Sequence, residues 1–218
     1  MTMNYKLLLF FLLNFVCLSL HAQETIYTLE YDGSVTTKSI FIDSMYHKSY
    51  SGIMPYIQKA SNSISDDYTV KCNQFKGWED EAADYQNIEI SYKGKRILSL
   101  TDDDGWGYFH SLEVDKGNAN KPFYLKQFGK NYYVICFTSV ILASQAPNLT
   151  IIVLKDGKAT LVYHRPTAIN HINENNGDVT FEVQHDMDYA DYDDKGNIIT
   201  VEINKHTLTF KDGMIYYK

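Results

Sequence analysis

The sequence predicts an all-β fold made mainly of antiparallel hairpins, arranged as a sandwich or a barrel, with a propeller-like array as the alternative. Apolar and polar residues alternate with a period of two through most of the chain after residue 22, whereas long helical periodicity is scarce. The alternating stretches are short and closely spaced. They are separated by Asp-Gly and Lys-Gly pairs, which favour the tight turns of hairpins.

The alternation also predicts where the strands lie. The predicted strands cover residues 26–31, 35–42, 68–75, 88–92, 97–100, 108–114, 123–128, 132–142, 149–154, 159–163, 179–183, 198–203, 207–210 and 214–217. Residues 132–142 are the most apolar stretch after the N-terminal segment, which is typical of a strand buried on both faces.

Two segments predict short helices instead of strands. Residues 49–65 carry apolar side chains at helix-like spacing, interrupted by Pro55. Residues 78–85 have a composition that suits two helical turns. We therefore expect one or two short helices beside the sheets.

A weak internal repeat is visible in the turns. Lys155-Asp156-Gly157 and Lys211-Asp212-Gly213 lie 56 residues apart, and a period of fifty-odd residues suits a propeller blade. The same three residues also close ordinary hairpins, and this simpler interpretation is favoured. No Pro- or Ser-rich linker interrupts residues 23–218, so we expect a single β-rich domain there.

Residues 1–22 predict a signal peptide. Lys6 precedes an apolar run over residues 7–20, and Ala22 is a small residue suited to cleavage. The run is shorter than the roughly 20 residues that span a membrane. We expect export to the periplasm, the cell surface or the extracellular space, with no transmembrane segment after cleavage.

Charge and composition exclude several classes of protein. The 218 residues include 20 basic and 27 acidic side chains, for a net charge of −7, which argues against nucleic-acid binding through a basic patch. Hydrophobic residues make up 44%, which argues against disorder. The chain is rich in tyrosine, with 18, and many lie in the predicted strands, where aromatic side chains pack well.

Two cysteines, Cys72 and Cys136, follow the predicted signal peptide. Alternation points both thiols toward a core. An oxidising compartment would allow a disulfide between them. Two separate buried thiols fit the pattern equally well.

Residues 104–110 are the segment that most suggests binding. Glycines flank Trp106, and Tyr108 and the carboxylates of Asp102 and Asp104 lie close by in sequence. An exposed Trp or Tyr would suit the face of a sugar or a protein partner, because the rings offer rigid area at little entropic cost. The favoured alternative places Trp106 in the core, closing the end of a sheet.

Calcium is the one cofactor that the sequence suggests, and the support is weak. With Gly196 in the sixth position of a calcium loop, Asp191, Asp193 and Glu202 take the first, third and twelfth positions. Lys195 then occupies the fifth position and would repel the ion, which favours an ordinary polar turn.

A second possible metal site is the run of residues 185–188, where His185 precedes two aspartates. In a strand His185 faces away from both acids, so a metal would need help from His110, His164 or His171. A solvated acidic loop is favoured over a metal site.

The sequence carries no nucleophile elbow and no phosphate-binding glycine loop. The leading hypothesis is therefore an exported, non-enzymatic domain that binds a protein or glycan partner. One alternative is an exported, metal-assisted hydrolase that uses acids near residues 102–104 or 185–188. Another is an inhibitor or immunity protein whose acidic surface blocks a basic enzyme.

Overall fold

The computed structural model describes residues 24–28, 39–41, 56–79, 82–112, 121–140, 145–187, 190–192, 194–200, 203–211 and 214–218. The predicted signal peptide lies outside these residues. Sixteen strands make up all the regular secondary structure of the described part, which confirms the all-β prediction. They are β1 (Glu24–Thr28), β2 (Ser39–Phe41), β3 (Tyr56–Ser63), β4 (Tyr68–Phe75), β5 (Tyr85–Tyr92), β6 (Lys95–Trp106), β7 (Tyr124–Gly129), β8 (Tyr132–Thr138), β9 (Asn148–Lys155), β10 (Lys158–Pro166), β11 (Ala168–Asn175), β12 (Asp178–Gln184), β13 (Ala190–Tyr192), β14 (Ile198–Thr200), β15 (Lys205–Lys211) and β16 (Met214–Tyr217).

The strands form three open antiparallel sheets that follow one another along the chain. Sheet 1 has the order β2-β6-β5-β4-β3, sheet 2 the order β10-β9-β8-β7, and sheet 3 the order β1-β16-β15-β12-β11. Each contains a four-stranded meander. β13 and β14 form a separate hairpin between β12 and β15, β2 joins sheet 1 in parallel to β6, and β1 joins sheet 3 beside β16.

Sheet 2 lies between the other two sheets and is buried on both faces. In β8, Tyr133, Ile135 and Phe137 enter a first core shared with sheet 1. Val134 and Cys136 enter a second core shared with sheet 3. Because neighbouring residues of a strand point to opposite faces, one apolar strand serves both cores. The prediction for residues 132–142 is confirmed over β8.

The weak sequence repeat corresponds to a repeated position in the sheets. Asp156-Gly157 joins the third and fourth strands of the meander in sheet 2, and Lys211 pairs with Met214 at the same junction in sheet 3. In sheet 1 Lys93-Gly94 makes this turn. Lys93, Gly94, Asp156 and Gly157 all have positive φ, as tight hairpin turns require.

The helix predicted over residues 49–65 is wrong for its described part. Residues 56–63 form β3, an edge strand paired with β4 from Tyr56 opposite Phe75 to Ser63 opposite Thr69. Pairing with a buried neighbour satisfies the backbone of β3, while its side chains stay largely exposed. Tertiary pairing therefore overrides the helix-like spacing.

The second predicted helix, over residues 78–85, is also wrong. The described residues of this segment form turns and bends, and β5 begins at Tyr85. Tyr85 is 2% exposed and stacks on Trp106, which fixes it in the first core as a strand residue.

Two further differences concern strands. Residues 108–112, the described part of the strand predicted over residues 108–114, form a loop. β11 was not predicted, because its sequence is mostly polar and its outer half is exposed. Its pairing with β12 through the Asn176-Gly177 turn, where both residues have positive φ, makes it a strand.

Candidate functional site

The acidic cluster at residues 102–104 lies in a large bulge of β6, where four residues stand opposite one residue of β5. Asn87 of β5 pairs with Thr101, but Tyr85 pairs with Trp106, so residues 102–105 have only Gln86 opposite them. Gly105 has a φ of 63°, and a Cβ there would lie 2.5 Å from the carbonyl oxygen of Tyr85. The bulge thus requires glycine, and it redirects the side chains on either side of it.

The Trp106 ring is fully buried in the first core. It stacks on Tyr85 with ring centroids 6.2 Å apart, and its Nε1–H donates a hydrogen bond of 2.9 Å to Thr150 Oγ1. The interpretation of Trp106 as an exposed binding ring does not agree with this position. The alternative, a tryptophan that closes the end of a sheet, agrees with it.

Asp102, the other side chain redirected by the bulge, begins a buried polar chain. Its side chain is 0% exposed, and its Oδ2 lies 3.5 Å from His164 Nε2. His164 Nδ1 lies 2.9 Å from Thr150 Oγ1. Together with Trp106 these three residues form the Asp102–Trp106 network, which joins β6 to β9 and β10.

The direction of the hydrogen bonds in this network follows from chemistry. The indole N–H of Trp106 can only donate, so the Thr150 hydroxyl accepts it. The Asp102 carboxylate oxygen that faces His164 Nε2 is an acceptor, so the neutral imidazole carries its proton on Nε2, and Nδ1 accepts the hydroxyl proton of Thr150. Burial lowers the pKa of His164 to about 4, which keeps the ring neutral at pH 7.

A carboxylate, an imidazole and a hydroxyl that lie next to one another in this order in space are also the components of a nucleophilic triad. Here, however, Asp102 and Thr150 are both 0% exposed, so a substrate has no access to the hydroxyl. The network is suited to holding sheets 1 and 2 together.

The other two binding candidates lie apart from Trp106. Asp104 is half-buried and donates its backbone N–H to Asp102 Oδ1 at 3.1 Å. Tyr108 is 40% exposed, and its backbone N–H donates to Asp84. Of the four candidate residues, Tyr108 alone presents an exposed ring to solvent.

The residues of the predicted calcium loop fall largely outside the described side chains. Asp191 belongs to β13, and Asp193 and Glu202 lie outside the described residues. Within the part that the structure describes, no three His, Cys, Asp or Glu side chains cluster closely enough to hold a metal.

Cys72 and Cys136 are two separate buried thiols. Cys72 belongs to the first core and Cys136 to the second, on different sides of sheet 2. The structure therefore agrees with the alternative of two separate buried thiols and not with a disulfide.

Among the described residues, a concavity lies beside β7, the edge strand of sheet 2. It is a cleft of about 440 Å³. Its walls come from the β3–β4 end of sheet 1, the strand β7 with the residues before it, and the end of β11 in sheet 3. The lining residues are Asn62, Ser63, Ile64, Phe109, Lys121, Pro122, Phe123, Tyr124, Leu125 and Glu174. We call this the β7 cleft.

Polar groups converge on the aromatic wall of the β7 cleft. The Tyr124 hydroxyl donates a short hydrogen bond to Glu174 Oε1, and Lys126 Nζ lies 3.8 Å from Glu174 Oε2. Burial raises the pKa of Tyr124 well above its usual range, so the phenol remains a donor. Asn62 Oδ1 is buried and has no hydrogen-bond partner among the described residues.

The Asp102–Trp106 network supports the β7 cleft from behind. Tyr85, which stacks on Trp106, places its hydroxyl 2.7 Å from the carbonyl oxygen of Pro122 in the cleft wall. Phe109 donates its backbone N–H to the carbonyl of Lys121 at 2.9 Å. The segment singled out from the sequence thus contributes one wall residue, Phe109, and the packing behind the wall.

The sequence gives no local signal for the β7 cleft. Asn62, Phe109, Tyr124 and Glu174 come from four separate parts of the chain, and sheet stacking alone brings them together. Each residue type is ordinary in its own segment, so no motif marks the site.

Comparisons with protein-family models, with curated proteins and with solved structures found no match to this chain. In the described residues, no helix has the length and apolar character needed to cross a membrane.

Proposed function

We propose that this protein is an exported, non-enzymatic binding domain whose ligand is a glycan held in the β7 cleft. The observation that carries the proposal is the convergence of aromatic rings with the Glu174 carboxylate in one cleft. The predicted signal peptide supports export.

The size and chemistry of the cleft favour a small polar ligand with an apolar face. Its volume of about 440 Å³ lies within the ordinary range for ligand sites, roughly 300–1,000 Å³. Phe109 and Tyr124, with ring centroids 5.6 Å apart, offer apolar contact. The Glu174 carboxylate, whose side chain is 54% exposed, accepts hydrogen bonds, and sugar hydroxyls are donors that match it.

The charges in the cleft favour this proposal over an inhibitor of a basic enzyme. Lys121 and Glu174 both line the cleft and carry opposite charges, so the cleft does not present a single-sign acidic surface. At residues 102–104 the hydrolase alternative would draw on Asp102 and His164, and the burial of Asp102 argues against it there.

The test is a binding screen of residues 23–218 against a panel of neutral and acidic oligosaccharides, followed by calorimetry on each binder. Glu174→Gln retains the shape of the side chain but removes its charge. We expect this substitution to weaken binding about tenfold, because a charge-assisted hydrogen bond contributes about 1.5 kcal/mol or more.

Glu182→Gln is the matched control, because Glu182 makes an exposed ion pair with Lys205 and is not part of the cleft. It should leave the affinity unchanged. Absence of glycan binding across the panel, or equal affinities for wild type and Glu174→Gln, would contradict the proposal.

A further inference from the structure

A separate cluster of three rings lies at the end of sheet 3 opposite to Glu174. His185 follows β12, His206 lies in β15, and Tyr217 lies in β16. His206 pairs with Val183, and Tyr217 pairs with Leu208, both of which are buried in the second core. Residues that pair across two strands share a face, and so do alternate residues of one strand. All three rings therefore lie on the core-facing side of sheet 3, at its edge.

The rings are in mutual contact and reach solvent. The centroids of His185 and His206 are 5.3 Å apart, and those of His206 and Tyr217 are 5.1 Å apart at an interplanar angle of 25°. Each of the three residues is half-buried. An ion can therefore reach the cluster from solvent.

The hydrogen bonds of His185 fix which nitrogen carries its proton. Its Nδ1 lies 2.9 Å from the carbonyl oxygen of Pro166, which can only accept, so Nδ1 is protonated. The lone pair of Nε2 then points to the Tyr217 hydroxyl, 2.8 Å away. A backbone carbonyl on one nitrogen and a lone pair on the other is the arrangement that orients metal-binding histidines.

We propose that His185, His206 and Tyr217 form a binding site for a divalent transition-metal ion that favours imidazole, such as Zn²⁺, Ni²⁺ or Cu²⁺. Two ligands about 2 Å from a tetrahedral ion lie about 3.3 Å apart, so the His185–Tyr217 hydrogen bond must open by only about 0.5 Å. The ion takes the place of the Tyr217 hydroxyl proton, which is released to solvent, so Tyr217 binds as a phenolate and His185 Nε2 binds through its lone pair.

This site differs from both metal candidates in the sequence. The second imidazole comes from His206, a strand away, and not from His110, His164 or His171. The proposal is independent of glycan binding, because the cluster and the β7 cleft share no residue.

Calorimetric titration of untagged residues 23–218 with ZnCl2, NiCl2 or CuCl2 alone tests the proposal. We expect one saturable site, with the affinity lowered at least tenfold by His185→Ala and by His206→Ala. Tyr217→Phe keeps the ring stack and should lower the affinity several-fold. His171→Ala is the control, since His171 is exposed on β11, and it should have no effect.

Electron paramagnetic resonance of the Cu²⁺ form gives a readout that does not depend on folding stability. The wild type should show coupling to two imidazole nitrogens, and His206→Ala to one. Absence of a saturable site, or unchanged affinity and nitrogen coupling in His206→Ala, would overturn the proposal. Circular dichroism of each variant shows whether it is folded.

Discussion

Thr150 is the residue on which the buried Asp102–Trp106 network depends most, because its one hydroxyl serves two buried partners. Thr150→Val leaves both Trp106 Nε1–H and His164 Nδ1 without a partner. We expect the free energy of unfolding to fall by about 3 kcal/mol, since each unsatisfied buried group costs about 1–3 kcal/mol. Urea unfolding measures the change.

Thr160→Val is the matched control, because Thr160 Oγ1 is buried and has no hydrogen-bond partner among the described residues. Replacing that hydroxyl with a methyl group loses no hydrogen bond and removes an unsatisfied buried group, so the free energy of unfolding should not fall. Equal losses in the two variants would mean that the Thr150 hydroxyl bonds contribute nothing.

His164 should make stability depend on pH. Burial lowers its pKa from 6.5 to about 4, so between these values the unfolded chain binds more protons than the folded chain. The stabilisation is complete above pH 6.5 and is lost as the pH falls toward 4, by about 3 kcal/mol. His164→Gln should flatten the wild-type slope over this window.

Urea unfolding of both proteins between pH 4 and pH 7 isolates this effect, because the carboxylates that titrate in the same range are common to both. Parallel pH profiles for wild type and His164→Gln would be inconsistent with a buried neutral imidazole. So would an NMR titration that places the pKa of His164 above 6.5, since that would mean that pairing with Asp102 outweighs burial.

The two cysteines should be inert in the folded protein. Burial raises the pKa of Cys72 to about 12 and that of Cys136 further, and only the thiolate reacts quickly. Residues 23–218 should not react with a thiol reagent at pH 8, and should react at two thiols after denaturation. A mass lower by two hydrogens, with no reactive thiol in denaturant, would show a disulfide instead.

At the scale of elements, the hairpin between β9 and β10 joins sheet 2 to sheet 1. The Gly157 N–H donates to the Tyr68 hydroxyl at 2.7 Å, and a Cβ on Gly157 would lie 2.9 Å from the Tyr92 ring. Gly177, at the matching place in the β11–β12 hairpin, has a φ of 91° and open space around it.

Gly157→Ala should therefore destabilise the protein more than Gly177→Ala. Both substitutions force a left-handed backbone at a cost of about 1–2 kcal/mol. Gly157→Ala adds about 1–3 kcal/mol, because the Tyr92 ring must move. Thermal unfolding of the two variants measures the difference in stability. Equal losses of stability would show that Gly157 is not in close contact with the Tyr92 ring of sheet 1.

Elements with strong local patterns could be predicted from the sequence, and elements that depend on a neighbour could not. Residues 68–75 alternate clearly and form β4 with the predicted bounds. β3 and β11 are edge strands with exposed, largely polar side chains, so their pairing partners decide their conformation. The burial of Trp106 was the favoured alternative, but the approach of His164 to Asp102 depends on how sheets 1 and 2 stack.

The same distinction applies to the candidate sites. The β7 cleft takes its walls from three sheets, and the ring cluster takes its members from β15, β16 and the residue that follows β12. Sequence spacing drew attention to Tyr108 and His185, but it carries no information on which distant residues lie beside them.

At the scale of the whole molecule, sheet 2 couples the two cores, because alternate residues of β8 and β9 enter one core or the other. Sheets 1 and 3 should therefore unfold together. In urea, tryptophan fluorescence follows the first core and far-UV circular dichroism follows all the sheets. We expect coincident transitions, whereas a separate earlier transition by circular dichroism would show that sheet 3 unfolds alone.

We propose that ligand binding takes place where the three sheets meet beside β7. An NMR titration of ¹⁵N-labelled residues 23–218 with the tightest-binding oligosaccharide of the panel tests this directly. We expect the largest amide shifts at residues 62–64, 121–125 and 174. Saturable shifts centred elsewhere, with these residues unchanged, would contradict it.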